Sequence, residues 1–123
     1  AITTHVCRGN YHSDWAFQGP YDAVSKTLFA LEQVDAFYLE FDDERSGSFA
    51  PLADVAEGKY VVLGLITTKR PELEDKATVI PLERLCLSPQ CGFASCEIGN
   101  KLTEEQQWAK IALVQETARE VWG

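Results

Sequence analysis

The chain has 123 residues, of which 46% are hydrophobic and 24% charged, a composition typical of a globular chain with one core. Its net charge of -8 repels phosphate backbones, so we expect no nucleic acid among its partners. No apolar run approaches the roughly 18 residues that a membrane helix needs, and no signal peptide is recognisable, which predicts a cytoplasmic protein without a membrane partner.

Strands and helices alternate along the predicted secondary structure. Apolar and β-branched runs predict strands, and apolar residues at helical spacing predict helices. In chain order we expect a strand at residues 2–7, a helix at 21–32, a strand at 36–41, a short helix at 49–56, strands at 60–67 and 85–88, and a final helix from residue 103. This order favours an α/β fold with parallel strands.

The last predicted helix has the clearest local signals. Thr103 and Gln106 have the spacing of a capping box. An apolar stripe is predicted on the helix at Trp108, Ile111, Val114, Ala118 and Val121. By contrast, the connection before the fourth strand is short and contains Pro71 and Pro81, which predicts either a helix of one or two turns or a missing segment.

Residues with metal-binding chemistry stand at three predicted strand ends. His5 and Cys7 are two residues apart on an extended segment, so their side chains point the same way. Glu40 ends a buried apolar strand, and Cys91 follows the fourth strand. Parallel strands bring their carboxyl ends to one side of a sheet, and one imidazole, two thiols and a carboxylate suit zinc.

Simpler explanations exist for each of these residues. The HxC spacing arises often by chance, Cys91 beside a glycine fits an ordinary turn, and Glu40 could pair with Arg8 or Arg45. Two disulfides among the four cysteines are another possibility. The chain is larger and more apolar than a disulfide-dependent scaffold and no secretory leader is recognisable, so we expect reduced thiols.

Several other residues receive milder predictions. Cys86 is expected to pack against a helix, and His12 to lie at the surface. Cys96 is the best spare metal ligand. Trp15 and Phe17 could cover an active-site mouth or pack in the core, and Arg45 could bind a substrate carboxylate or, more simply, form an ion pair.

Four segments together resemble a known family. HVCRGN, FYLEFDDERSG, LCLSPQCGFAS and LTEEQQWAKIALVQETAREVWG are similar, in order, to the C-terminal part of the cobalamin-independent methionine synthases, especially the single-domain bacterial branch called methionine synthase II. The resemblance implies a (β/α)8 TIM-type barrel with a zinc ion at the carboxyl ends of its strands. It also implies that the ligands of that ion are His5, Cys7, Glu40 and Cys91.

A whole barrel of this type takes about 250 residues. The resemblance therefore implies that residues 1–123 are a single partial domain, the C-terminal half-barrel with the zinc-ligand motifs. Half a barrel leaves its sheet open at two edges. We therefore expect the chain to be a fragment or to pair with an N-terminal half or a second chain, and the isolated chain to be inactive if its substrate-binding half is absent.

The activity that the resemblance implies is a zinc-dependent methyl transfer in methionine biosynthesis. The donor would be a methyltetrahydrofolate, such as 5-methyltetrahydropteroyltriglutamate, and the acceptor the thiol of homocysteine. Two alternatives stay open. One is an alkyltransferase acting on another small thiol such as coenzyme M, and the other is a non-catalytic half-barrel that serves as a binding module.

One position departs from the family pattern. The leaving nitrogen of a folate donor needs a proton, and the better-known members have a histidine after the third strand of this region. Here that place falls at Thr67 or Thr68, neither of which is an acid of useful pKa. The carboxyls that could substitute lie on a neighbouring loop, at Asp42, Asp43 and Glu44.

Overall fold

The computed structural model describes residues 1–74, 85–94 and 96–123. Within these ranges the chain forms four strands and two α-helices, together with short 3-10 turns. The strands are β1 (Thr3–Val6), β2 (Ala36–Glu40), β3 (Tyr60–Ile66) and β4 (Leu85–Pro89), and the helices are α1 (Ser25–Leu31) and α2 (Glu104–Trp122). All four strands lie within the segments that the sequence predicts as strands, apart from the final residue of β4.

The four strands form one parallel sheet in the order β1-β2-β3-β4. Sequential parallel strands of this kind make up half of a (β/α)8 barrel, so the architecture agrees with the predicted half-barrel. The register places side by side, on one face of the sheet, His5, Tyr38, Val62 and Cys86. One step nearer the carboxyl ends, the same face carries Glu40, Gly64 and Ser88.

The other face of the sheet carries the apolar core beneath α1. Phe29 of α1 and Phe37 of β2 are both 0% exposed, and their rings meet at 5.3 Å between centroids. Leu39 and Leu63 pack into the same cluster, and burial of such side chains stabilises a fold by about 1.5–3 kcal/mol each. This face therefore supplies the apolar stabilisation of the sheet.

The face opposite the core is more open to solvent. Tyr38 and Tyr60 on this face are 38% and 55% exposed. Cys86 is also exposed and shares their face, so the prediction that Cys86 packs against a helix is wrong. The alternation of side chains along β4 places Cys86 on the side away from the core, which its apolar neighbours in sequence do not indicate.

Two predicted helices are shorter and tighter than expected. The segment at 21–32 divides into a 3-10 turn (Tyr21–Ala23) and α1, because Val24 between them has φ of -121° and leaves the helical conformation. The helix predicted at 49–56 is a 3-10 segment, Ala50–Asp54. Its Pro51 has no backbone N–H to donate, which suits a short turn better than a helix interior.

The helix α2 begins as predicted but buries a different face. The Thr103 side chain accepts from the backbone of Gln106, and the Gln106 side chain accepts from the backbone of Thr103, so the capping box is confirmed. Trp108, however, is 58% exposed, so its place in the apolar stripe is wrong. Ile111, Val114, Ala118 and Val121 are half-buried. The buried positions of the helix are Lys110, Leu113 and Thr117.

Lys110 is 0% exposed although it carries an ammonium group. Its Nζ donates to both carboxylate oxygens of Glu74 at 3.1 Å and to the backbone oxygen of Glu72 at 2.7 Å. Glu74 also accepts from the backbone N–H of Thr67 at 2.8 Å, so the ion pair ties α2 to the chain that leaves β3. This partner explains how a lysine replaces an apolar residue in the buried stripe.

Among the described residues, none of the helices has the length and apolar character needed to cross a membrane. The predicted short helix or deletion before Pro81 lies outside the described residues, as does Pro81 itself.

Candidate metal centre

The four predicted ligands meet at the carboxyl end of the sheet. His5 lies in β1 and Cys7 follows that strand, while Glu40 is the last residue of β2 and Cys91 follows β4. One ligand atom from each of these residues lies within 4.8 Å of every other. The parallel topology thus brings together residues that are up to 86 positions apart in sequence.

The geometry and the donor set fit zinc. Zinc–ligand bonds of about 2.0–2.3 Å in a tetrahedron place neighbouring ligand atoms about 3.3–3.8 Å apart. The Sγ of Cys91 lies 3.7 Å from Nε2 of His5, within that interval. One nitrogen, two sulfurs and one carboxylate oxygen are the ligand types that zinc prefers, so these four residues form a group that could hold the ion.

The other candidate ligands do not join this cluster. His12 is exposed, as predicted, and lies in a turn with φ of 48°. Cys96 is half-buried but is not a member of the group of four among the described residues. The four cysteines are thiols and are not linked by disulfides, which agrees with the predicted reduced state.

Glu40 is the only one of the four candidate ligands that is fully buried, at 0% exposure. Its Oε2 accepts from the backbone N–H of Arg8 at 3.2 Å and lies 3.5 Å from the Arg45 guanidinium. Its Oε1 accepts from the side-chain amide of Gln90. Both alternatives from the sequence are therefore present, since the carboxylate faces the candidate metal group and also has an arginine partner.

The side chain of Arg8 serves a different part of the site. Its guanidinium lies 4.1 Å from the centre of the Tyr21 ring and donates to Oγ of Ser46 at 3.0 Å. Ser46 in turn donates to the backbone oxygen of Glu40 at 2.8 Å. Arg8 therefore holds the end of β2 through its backbone N–H and through Ser46, whereas the guanidinium that pairs with the Glu40 carboxylate is that of Arg45.

The thiol of Cys7 has a raised pKa in this site. Partial burial, together with the neighbouring Cys91 and Glu40 groups, raises its pKa from 9.0 to about 11, against the opposing effect of the Gly9 backbone N–H. Burial is the largest cause of this rise, and the neighbouring potential anions add to it. A divalent cation bound among these groups would lower the pKa again, because a coordinating thiol is deprotonated.

Two of the three carboxyls that could substitute for the family histidine, Asp42 and Asp43, form ion pairs on the loop after β2. Burial alone raises the pKa of the Asp42 carboxyl, but the hydrogen bond and charge of Lys69, with the charge of Arg45, hold that pKa below its usual value. Asp42 contacts Lys69 at 2.8 Å and Arg45 at 2.9 Å, and Asp43 also pairs with Arg45 at 2.9 Å. These carboxylates are thus engaged as ion-pair partners, which confirms the simpler prediction for Arg45.

Trp15 and Phe17 lie outside the core, at 37% and 72% exposure. The Arg45 guanidinium lies 5.5 Å from the Trp15 ring, so this aromatic side chain borders the ion-pair cluster. A cavity of about 260 Å³ opens beside the candidate ligands; its lining includes His5, Tyr38, Ser88 and Cys91.

Sequence reasoning missed three polar residues next to the ligands. Asn10, Thr68 and Gln90 are 8%, 0% and 2% exposed, and they form consecutive hydrogen bonds that end on Glu40. Gln90 directly precedes Cys91 in the segment LCLSPQCGFAS, and this adjacency to a candidate ligand is the one signal that the sequence offered.

Comparisons with known proteins place this geometry in context, although no family model matches the chain. Two curated relatives come from Bacillus subtilis (strain 168), the uncharacterized proteins YxjG and YxjH, at 50% and 51% identity over 132 residues. The alignments cover 98% of this chain but 35% of each relative, so the chain spans about a third of their length. Because 132 exceeds the 123 residues of the chain, the relatives have residues without a counterpart here.

A solved structure from Listeria monocytogenes is also similar. That protein carries the provisional name vitamin-B12 independent methionine synthase, and it is 37% identical with a TM-score of 0.67. The match covers 98% of this chain and 35% of the Listeria chain. The fold of this chain is therefore like part of a methionine synthase-like protein, in agreement with the resemblance seen in the sequence.

Proposed function

We propose that this chain carries the zinc centre of a cobalamin-independent methyltransferase, which transfers a methyl group from a methyltetrahydrofolate to the thiol of homocysteine. The observation that carries this proposal is the convergence of His5, Cys7, Glu40 and Cys91, whose ligand atoms all lie within 4.8 Å of one another. The similarity to the Listeria protein supports the choice of reaction, because its provisional name describes that class of enzyme.

The ligand residues set the charge of the proposed centre. A bound zinc ion supplies Lewis acidity that lowers the pKa of a substrate thiol and so favours the nucleophilic thiolate. Cys7, Cys91 and Glu40 contribute three negative charges in their ionised forms, and His5 contributes a neutral imidazole. This excess of negative charge keeps an incoming sulfur electron-rich, which suits its attack on a methyl group.

The cavity beside the ligands is assigned to the acceptor. Its volume of about 260 Å³ is close to the lower limit of about 300 Å³ for small-molecule pockets. A small thiol such as homocysteine suits that space better than a folate. Tyr38 and Ser88 border the cavity and offer hydroxyl groups to the polar end of such an acceptor.

The donor and the proton for its leaving nitrogen are assigned to the part of the relatives that this chain does not span. The position of the family histidine falls at Thr67 or Thr68, and Asp42 is held ionised by Lys69 and Arg45. A carboxylate held in that state is a poor proton donor near neutral pH. The proposed reaction therefore needs a general acid from elsewhere in the complete protein.

Metal analysis of the purified chain tests the centre directly. We expect about one zinc ion per chain, because three or four protein ligands of these types define one zinc site. Cys91→Ser should remove the bound zinc, since the substitution replaces a ligand sulfur. Cys96→Ser is the matched control and should keep it, because Cys96 is not part of the group of four. A wild-type zinc content near zero would refute the proposed centre.

A chimaera tests the activity. In YxjG, the region matched to this chain can be replaced by the chain itself, and methyl transfer from methyltetrahydrofolate to homocysteine can be assayed. We expect transfer by the chimaera and none after Cys91→Ser in the inserted region. Transfer to coenzyme M but not to homocysteine would reject the proposed acceptor, and a zinc-loaded chimaera without any transfer would favour a binding module.

A further inference from the structure

We propose that Asn10, Thr68 and Gln90 form a positioning relay for the metal centre, orienting the Glu40 carboxylate and the turn that carries Cys91. The inference rests on the proposed zinc centre and assigns to these three residues a role that neither the motif spacing nor the comparisons contain. None of the three is a metal ligand, and their effect reaches the ligands through hydrogen bonds.

The relay has a fixed direction. Asn10 donates from Nδ2 to Oγ1 of Thr68 at 3.1 Å, and Thr68 donates from that hydroxyl to Oε1 of Gln90 at 3.0 Å. Gln90 then donates from Nε2 to Oε1 of Glu40. A threonine hydroxyl has a single hydrogen, so accepting from Asn10 leaves that hydrogen directed at Gln90.

The direction determines which end of the Gln90 amide faces the carboxylate. An ionised carboxylate accepts hydrogen bonds and donates none, so Gln90 must present its N–H to Glu40. Its carbonyl then accepts from the Thr68 hydroxyl. A reversed amide would set a carbonyl against a carboxylate and leave Thr68 without its acceptor, at a cost that burial increases.

A second branch of the relay reaches the turn that carries Cys91. The other hydrogen of the Asn10 amide goes to the backbone oxygen of Gly92 at 2.7 Å. Gly92 directly follows Cys91, so Asn10 fixes the turn from which the Cys91 thiol projects. One side chain after β1 thus links the loop that follows His5 and Cys7 to the ligand-bearing turn after β4.

The backbone of β3 and β4 approaches closely where Gln90 joins the relay. Gln90 donates its N–H to the backbone oxygen of Ile66 at 2.8 Å, next to a break in register between β3 and β4. A Cβ atom on Gly64 would lie 2.7 Å from the Cα of Gln90, so only glycine lets the two strands approach here. The relay therefore draws on positions at the ends of all four strands.

Every member of the relay is buried, which argues that its polar groups have a functional role. Buried amides and hydroxyls contribute little net stability compared with apolar side chains of the same shape. Their hydrogen bonds instead fix orientation, and such contacts around metal ligands commonly change metal affinity by about 10–100-fold when removed. A device that orients ligands should thus affect metal binding more than folding.

The test uses Thr68→Val, which keeps the shape of the side chain but removes both hydrogen bonds of the hydroxyl. We expect zinc affinity, measured by competition with a chromophoric chelator, to fall by about 10–100-fold. Thr68→Ser is the matched control and should bind zinc nearly as the wild type does, because it retains the hydroxyl. Cobalt(II) in place of zinc gives a second measurement, and its thiolate absorption should weaken or shift in Thr68→Val alone.

The possible outcomes separate this inference from the proposed centre. A wild-type chain that binds no zinc refutes both. A wild-type chain that binds zinc, with Thr68→Val matching it in affinity and cobalt spectrum, refutes the relay alone. If Thr68→Val does not fold, Gln90→Met replaces it, since methionine has a similar length without the amide, and unchanged zinc affinity in that folded variant also refutes the relay.

Discussion

Two buried regions of this chain are built on opposite principles. Beneath α1, Phe29 and Phe37 are fully buried in an apolar cluster. At the carboxyl ends of the strands, Glu40 and Thr68 are just as completely buried, but both form hydrogen bonds with the side chain of Gln90. The first region gains free energy from removing apolar surface from water, whereas the second must compensate each desolvated group with a hydrogen bond or an ion pair.

The difference teaches where stability and function reside in this fold. Apolar packing is non-directional and tolerates small movements, so it suits the face that holds the helix to the sheet. Hydrogen bonds have strict geometry, so they suit the end that must hold four ligand atoms within 4.8 Å. We therefore expect substitutions in the two regions to change different measured quantities.

The largest effect on stability should follow from Phe29→Ala. The substitution leaves a cavity between α1 and β2, and we expect the free energy of unfolding to fall by about 3–5 kcal/mol, measured by urea denaturation of the metal-free chain. Phe17→Ala removes the same atoms from a side chain that is 72% exposed, so it should change stability by less than about 0.5 kcal/mol. Zinc affinity of the folded Phe29→Ala chain should stay near the wild-type value, and a large loss would show that the two regions are not separate.

A smaller loss of stability, with a loss of metal affinity, should follow from Gly64→Ala. The new Cβ would lie 2.7 Å from Gln90 Cα and 3.0 Å from the backbone oxygen of Leu39, and such overpacking typically costs about 1–3 kcal/mol. Because Gln90 must move, zinc affinity should fall as well. Gly92→Ala is the control, since nothing lies within 4 Å of its added Cβ. Unchanged zinc affinity in Gly64→Ala would show that the position of Gln90 does not affect zinc binding.

The smallest effect should follow from Tyr21→Phe, at the boundary of the two regions. The Tyr21 ring belongs to the apolar cluster, while its hydroxyl accepts from the Glu40 backbone N–H at 2.9 Å. We expect a stability loss of about 1 kcal/mol, the net worth of a typical hydrogen bond, and a smaller drop in zinc affinity than in Thr68→Val. Tyr60→Phe serves as the control, because Tyr60 is 55% exposed. A fall in zinc affinity as large as that of Thr68→Val would show that Tyr21 of the apolar cluster also orients the candidate metal centre.

Sequence patterns predicted the sheet well because strand signals are local. The run from Tyr60 to Ile66 is apolar and β-branched, and it forms β3 with six of its seven residues buried or half-buried. The four candidate ligands could be identified for a related reason, since each of them lies near the end of a recognisable strand or just after it. Parallel pairing then determines that these ends meet at one side of the sheet.

What sequence patterns missed depends on contacts between distant residues. Lys110 is buried in α2 because Glu74 lies 36 positions earlier and folds back against it. A hydrophobic stripe assigns such a lysine to the surface and places Trp108 inside, where the structure has the reverse. Likewise, Asn10 meets Thr68 across 58 positions, and no local pattern distinguishes an amide that will be buried from one that will not.

Lys110 also gives this fold a built-in reporter of partial opening. Its amine is enclosed between α2 and the chain after β3, whereas Lys26 and Lys101 are exposed. An amine-reactive acylating reagent should therefore label the exposed lysines first, and Lys110 only when the helix detaches from the sheet. Mass spectrometry of Lys110 acylation over time would then follow the transient opening of that one interface.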